Sequence, residues 1–359
     1  MAEKYHVIGL MSGTSLDGLD IAFVEFIKST DRWQYNIIKT LAIEYDATMR
    51  SRLAKSIELD ESELRQLDQQ YGSWLGEQVN TFTNDLNDDV QMIASHGHTV
   101  FHQPDKGITR QIGDGQTIAK ATGFKTISDF RSLDVQRGGQ GAPLVPIGDM
   151  LLFPEYLACL NLGGIANISF AQDGQRLAFD IGMANMPLNY FARQLGYQFD
   201  KDGALAVGGV VKADLAKALD NLAYYTLPKP KSLGLEWFLS EMLPLLNSFK
   251  VSIEDKLATL VHHEARQIGK VIKALNRPGK ILVTGGGAYN KYFIKLLREN
   301  LLENQLLELP SQQLIDFKEA LIFALMGVLR ERNEINCLKS VTGARQDSCA
   351  GRVFMPEIS

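Results

Sequence analysis

Cysteine is scarce in this sequence. Cys159, Cys337 and Cys349 are the whole set, odd in number and without CxxC spacing. That argues against a disulfide framework and fits a chain kept in a reducing, cytoplasmic setting. Long apolar runs are missing as well. Nothing approaches the roughly 18 consecutive apolar residues of a membrane span. The opening MAEKYHVIGLMSG is interrupted by Glu3, Lys4 and His6, so no export signal is expected. A positive excess is also absent. Lys and Arg number 37 against 42 Asp and Glu, a formal net charge of -5, which offers no basic face to nucleic acid or anionic lipid. A local nest of backbone amides can still hold a phosphate on an acidic chain.

What is present is an ordinary enzyme-like composition. The 359 residues are 45% hydrophobic, enough for two domains or one large bilobed one. Residues 5–11 read as a buried strand, 19–26 as its returning partner after the turn SGTSLDG, and 33–45 as a third strand. Helices are expected near 47–57 and 61–88, and a short strand at 90–95. The second half opens in the same way. Strands at 156–164, 166–171 and 176–182 precede helices near 187–196, 209–222, 233–247 and 253–276. KILVTGGGAYN (280–290) reads as strand, glycine turn and helix start, and a helix is expected over 312–333. Hairpin-type β-units thus occur twice, each followed by helices, which predicts an α/β fold with mixed sheets. The boundary between halves is expected in the Gly/Pro-rich segment 137–146 or just before it.

Several signatures of catalysis are lacking. No G-x-x-x-x-G-K-[ST] supports a P-loop, HHEAR (262–266) is not HExxH, and no G-x-S-x-G occurs. Three glycine turns are there instead, each after a predicted strand: Gly9 to Gly18, Asn161 to Asn167, and Thr284 to Gly287. Clustered backbone amides bind phosphate oxygens, and glycine permits close approach. A tight Asp-Gly hairpin explains the first turn alone, but one nucleotide explains all three better than three unrelated loops. Asp17 could hold Mg2+. Asp180 ends an apolar strand, where a carboxylate can take a proton from a nucleophile or serve as a turn residue. In SHGHTVFH, His96, His98 and His102 lack a third ligand on one strand face, which disfavours zinc. His96, Thr99, Gln111, Asp114 and Arg131 suit sugar hydroxyls, or are ordinary loop polar residues.

The runs GLMSGTSLDGLD, SHGHTVFHQP, QIGDGQTIAKATG, SDFRSLDVQRGGQGAPLVP, LNLGGIANI, KDGALAVGG, VTGGGAYN, FKEALIFALMG and SVTGA follow one another along nearly the whole chain. In that order they resemble the anhydro-N-acetylmuramic acid kinases. The resemblance implies an actin-like ATPase fold of two ribonuclease-H-like lobes around a nucleotide cleft. One lobe would comprise 1–130 plus 335–359 and the other 131–334. It implies ATP with Mg2+, held by Gly13, Thr14, Ser15, Leu16, Asp17, Gly18, Leu19, Asp20, Asn161, Gly163, Gly164, Gly285, Gly286 and Gly287. It implies sugar contacts at His96, Gly97, Thr99, Gln111, Asp114, Arg131 and Glu319, with Asp180 as the base that activates water. The implied reaction opens 1,6-anhydro-N-acetylmuramic acid with water and phosphorylates O6, in peptidoglycan recycling by a cytoplasmic homodimer. The sequence departs from the family at Phe179 to Asn189. FDIGMAN stands for the usual FDTGPGN, Leu188-Asn189 for Ile-Asp, and His98 for the usual Gln. A kinase of another amino sugar, or a catalytically impaired ATP-binding homologue, is the alternative.

Overall fold

The computed structural model describes residues 2–13, 16–30, 32–86 and 89–357. The chain forms two compact units, Met1–Leu152 with Phe317–Ser359, and Phe153–Asp316.

Unit 1 begins with β1 (Glu3–Met11), β2 (Gly18–Lys28) and β3 (Trp33–Glu44). Ile8, Leu10, Leu19, Ile21 and Phe23 are buried in one cluster, as expected for β-branched and large apolar residues on a covered sheet face. β1 pairs antiparallel with β2, and β2 with β3. Four further strands are β4 (Met92–Ser95), β5 (His98–Gln103), β6 (Ile108–Ile112) and β7 (Lys125–Ser128). β4 lies parallel to β1 and β7 parallel to β4, while the tail strand Arg352–Phe354 closes the edge antiparallel to β7. β5 and β6 form a separate hairpin.

Parallel neighbours require a crossover, and helix Glu61–Thr83 provides one between β3 and β4. Its first turn is fixed by a capping box between Asp60 and Glu63. Its Leu64, Leu67, Tyr71, Leu75, Val79 and Phe82 recur every three or four residues and are buried, so one stripe of the helix meets the sheet. On β1, Gly9 faces helix Gln312–Glu331. A Cβ there would stand 1.9 Å from the Ala320 carbonyl oxygen, so only glycine lets that helix lie so near the strand.

Unit 2 repeats the plan with β8 (Ala158–Leu162), β9 (Ile165–Gln172), β10 (Gln175–Met183), β11 (Gly279–Thr284) and β12 (Gln305–Glu308). The order is β10-β9-β8-β11-β12. The first three strands are antiparallel, and β11 and β12 follow in parallel. Unit 1 has the same order and directions in β3-β2-β1-β4-β7. Each unit therefore carries a ribonuclease-H-like sheet. The core of unit 2 gathers Ile168, Phe179, Phe191, Phe238, Leu260, Ile281 and Phe293. Helix Ile253–Ala274 covers it, capped by Ser252 Oγ, which accepts from Asp255 N at 3.1 Å.

The unit division differs from the sequence expectation by some twenty residues at each junction, because residues 131–152 and 317–334 are built into unit 1. Asp134 is fully buried. It accepts hydrogen bonds from Thr342 Oγ1 at 2.7 Å, Cys337 Sγ at 3.2 Å and Gly141 N at 2.8 Å. Gln140 N donates to Thr342 O at 2.8 Å. The glycine-rich segment is thus tied to the chain's last residues rather than being a free hinge. Asp134→Ala is expected to cost roughly 2–3 kcal/mol, the scale of leaving buried donors unpaired. Urea unfolding checks it, and a loss below about 0.5 kcal/mol would show the tie to be dispensable. The sequence reading also passed over β5, β6, β7, β12, the tail strand and helix Gly115–Thr122. KTIS, QLLE and RVF are too short to show a period, and pairing with longer neighbours makes them strands.

Candidate active site

In unit 1 the β1–β2 turn is drawn toward the loop after β4. Ser12 Oγ donates to Gly97 O at 2.8 Å, and Leu16, at φ +59°, sends its N–H to Gly13 O at 3.4 Å. Gly13, Asp17, Gly18 and Asp20 line a cavity of about 230 Å3, joined by Glu44 and by Glu319. Thr14 and Ser15 lie outside the described residues. Leu19 is 1% exposed in the core, so only its backbone could face a nucleotide. The carboxylates of Asp17, Asp20 and Glu319 present hard oxygen donors to the one cavity, which suits Mg2+. Among the described residues no group of three His, Cys, Asp or Glu is arranged to hold a metal by itself. A Mg2+ ion here would complete its shell with water and phosphate oxygens.

His96 is buried between two partners. Its Nδ1 lies 3.2 Å from Ser12 O and its Nε2 accepts from Arg131, at 3.1 Å from Nε and 2.7 Å from Nη2. That pattern requires the neutral ring with the proton on Nδ1. Burial, with Arg131 beside it, pushes its pKa down to about 3. Arg131 also donates to Gly141 O at 2.6 Å. Burial lowers it to about 10, so it stays charged at neutral pH. Burial raises Glu319, against the pull of Lys318 and Arg131. His98 is buried beside Tyr71, and its Nδ1 has no hydrogen-bond partner among the described residues.

A second cavity of unit 1, about 150 Å3, brings together His96, Gly97, Gln111 and Asp114 of the expected sugar contacts. Arg131 and Thr99 do not line it, and Glu319 lines the other cavity. Asp114 is also the N-cap of helix Gly115–Thr122, accepting from Thr117 N and Thr117 Oγ1, both at 2.7 Å. One of its oxygens is thus structural.

In unit 2 two of the glycine turns meet. Parallel pairing sets Thr284 of β11 beside Asn161 of β8. Gly285 has φ +82°, and a Cβ on it would be 2.5 Å from Asn161 Oδ1. Asn185 joins them, donating from Nδ2 to Leu162 O at 2.9 Å and from N to Gly163 O at 3.0 Å. Gly286 opens onto a cavity of about 630 Å3 with Asn185, Asn189, Phe199, Tyr289 and Asn290. Of these, Asn185 and Asn189 were noted in the sequence only within the segment that departs from the family, and Phe199, Tyr289 and Asn290 were not assigned to a site. KDGALAVGG and GGGAYN supply part of this wall, and neither run has a period that would mark a cavity wall.

Asp180 sits on β10 at a bulge between Asp180 and Gly182. Its Oδ2 accepts from Leu233 N at 2.8 Å, its N–H donates to Lys231 O at 3.0 Å, and its carbonyl accepts from Tyr224 OH at 2.6 Å. Burial pushes the carboxyl up to about 6, partly countered by the Leu233 N–H. Ile181, Met183 and Ala184 are buried in the core, Asn185 and Asn189 line the large cavity, and Leu188 belongs to both.

Two ribonuclease-H-like sheets in one chain, each with a glycine-bearing turn between its first two strands, place the protein in the actin-like ATPase class of folds. The family model described as anhydro-N-acetylmuramic acid kinase matches residues 5–356. The chain is 35% identical to the anhydro-N-acetylmuramic acid kinase of Zymomonas mobilis, over 96% of this chain and 98% of that one. It is 34% identical to the Haemophilus influenzae protein of that description, over 99% and 98%. Among solved structures it is similar to the activator of 2-hydroxyisocaproyl-CoA dehydratase from Clostridium difficile with bound ADPNP. That match has a TM-score of 0.43 and 13% identity, and covers 91% of this chain and 97% of that one. The chain belongs to the anhydro-N-acetylmuramic acid kinase family.

Proposed function

We propose that the protein phosphorylates 1,6-anhydro-N-acetylmuramic acid with ATP, opening the anhydro ring with water to give N-acetylmuramic acid 6-phosphate. The carrying observation is Asp180, a carboxylate held at a strand bulge by Leu233 N–H and raised to about 6 by burial. Water attacks C1 while Asp180 takes a proton from it, the C1–O6 bond breaks, and O6 receives the γ-phosphoryl group as ADP leaves. A base with pKa just below neutrality is ionised at working pH yet still accepts a proton readily.

In this reading the β1–β2 turn of unit 1 and the turns at Gly163–Gly164 and Gly285–Gly287 contact the nucleotide. Asp17 with Asp20 or Glu319 would hold Mg2+, which supplies charge neutralisation of the phosphates. The neutral His96, donating from Nδ1 and held by Arg131, contributes to the sugar site with Gly97, Thr99, Gln111, Asp114 and Glu319. Peptidoglycan recycling by a cytoplasmic homodimer belongs to the same reading. Among the described residues no helix is long and apolar enough to cross a membrane.

ADP release with 1,6-anhydro-N-acetylmuramic acid, beside a panel of other amino sugars, tests it. The sign of the pH dependence follows from Asp180. Its protonated form cannot act as base, so kcat/KM is expected to rise tenfold per pH unit below about 6 and level off above. Turnover of another sugar alone, or a profile flat between pH 5 and 7, would count against this assignment.

A further inference from the structure

The 150 Å3 cavity of unit 1 has a feature that the sugar contacts above do not use. Two arginines line it, Arg110 from β6 and Arg352 from the tail strand. Arg110 Nη2 is held by Asp68 Oδ2 at 3.2 Å, and Asp68 is itself fixed by Gly113 N, which donates to Oδ1 at 2.7 Å. This leaves Arg110 Nε buried with no partner among the described residues. A guanidinium N–H without an acceptor is costly where water is excluded. Arg352 is exposed, and its guanidinium lies over the Phe354 ring at 5.3 Å. Phe354 lines the same cavity, which supplies an apolar wall beside the two cations.

Three aspartates also line this cavity, Asp68, Asp114 and Asp129, and their charges oppose an anion. Each gives at least one oxygen to a protein donor. Asp68 accepts from Gly113 N and Arg110, Asp114 from Thr117, and Asp129 Oδ1 from Ser132 N at 3.4 Å. The cationic donors in the wall are those of the two arginines. Two guanidinium groups, one fixed by a carboxylate and one free to move, form a fork for a planar carboxylate.

We infer that this cavity takes the carboxylate-bearing ether arm of the sugar, with the Arg110 and Arg352 guanidinium groups as its partners. The inference rests on the function proposed above. N-acetylmuramic acid differs from N-acetylglucosamine by a lactyl ether on O3, and that arm carries the sugar's one negative charge. The pair therefore sets specificity for the acid sugar over its uncharged counterpart. A cavity of this size suits an arm rather than a whole ring. Arg352 comes from the last strand of the chain, so the tail contributes to substrate choice.

The test compares 1,6-anhydro-N-acetylmuramic acid with 1,6-anhydro-N-acetylglucosamine, by turnover and by calorimetric binding. Arg352→Gln is expected to weaken the acid sugar about tenfold, the scale of one charge-assisted hydrogen bond. Arg352→Lys should retain part of the affinity, and affinity for the uncharged sugar should stay within twofold of that of the unsubstituted protein. Arg110→Gln is the second variant, read together with its melting temperature because it also releases Asp68. If the unsubstituted protein turns over the acid sugar and both variants bind it normally, the inference is overturned while the function stands. If the unsubstituted protein neither binds nor turns over the acid sugar, the function falls and the inference with it.

Discussion

Asp180→Asn is expected to lower kcat by about 10²- to 10⁴-fold, the usual cost of losing a general base. Asparagine keeps the size of the side chain, and its Oδ1 can still accept from Leu233 N, which donates to Asp180 at 2.8 Å. The Tyr224 hydroxyl bonds the main-chain carbonyl of residue 180, so the bulge keeps that support whatever the side chain. Folding and ATP affinity should therefore be unchanged. The amide does not titrate, so the rise in rate through pH 6 should vanish along with the activity. The stability change has the opposite sense to that of an ordinary surface carboxylate. Because burial raises this group from 3.8 to about 6, ionising it opposes folding, and its contribution falls as pH rises through that interval. The mutant should lose that pH dependence and be no less stable at pH 7. A variant that retains near-normal kcat, or that melts well below the unsubstituted protein, would remove Asp180 from the role of base.

Much of this arrangement was legible along the chain, because it depends on local chemistry. Asp17-Gly18 after an apolar run gave the first turn, and Asp180 at the end of LAF stood where a strand delivers a side chain. The repeated hairpin units announced the duplicated sheet. What stayed hidden involves partners far apart. Arg131 reaches His96 across 35 residues, and Leu233 reaches Asp180 across 53; neither spacing has a period to read. Asp114 shows the converse case. Its D-x-x-T pattern with Thr117 is an ordinary N-cap signature, yet it sits on a cavity wall, so both meanings of the residue hold at once. The departures after Phe179 also separate only in three dimensions. Ile181, Met183 and Ala184 fill the core, Asn189 faces the large cavity, and Leu188 is a core residue that also lines it. Changes at the first three alter packing, that at Asn189 alters what the cavity admits, and that at Leu188 does both.

The glycines of the third turn offer a way to separate nucleotide binding from folding. At Gly285 the φ of +82° and a Cβ only 2.5 Å from Asn161 Oδ1 forbid a side chain. At Gly287 a Cβ would stand 2.7 Å from Leu162 Cβ. Valine at either position must displace β8 or its turn, and a loss of folding is the expected result. Gly286 differs. Its φ lies outside the left-handed range, and a Cβ there meets nothing nearer than Asn185 Nδ2 at 3.8 Å. Its open side is the 630 Å3 cavity. Gly286→Val should thus fold normally and place two methyl groups where a nucleotide would approach the backbone. Crowding of that kind costs about 1–3 kcal/mol, which corresponds to a rise in KM for ATP of roughly 5- to 150-fold. KM for the sugar and kcat at saturating ATP should move little, since neither depends on a contact at this turn. Initial-rate measurements over a range of ATP concentrations, with circular dichroism to confirm folding, check the prediction. A folded Gly286→Val protein with unchanged KM for ATP would show that the nucleotide does not use this cavity.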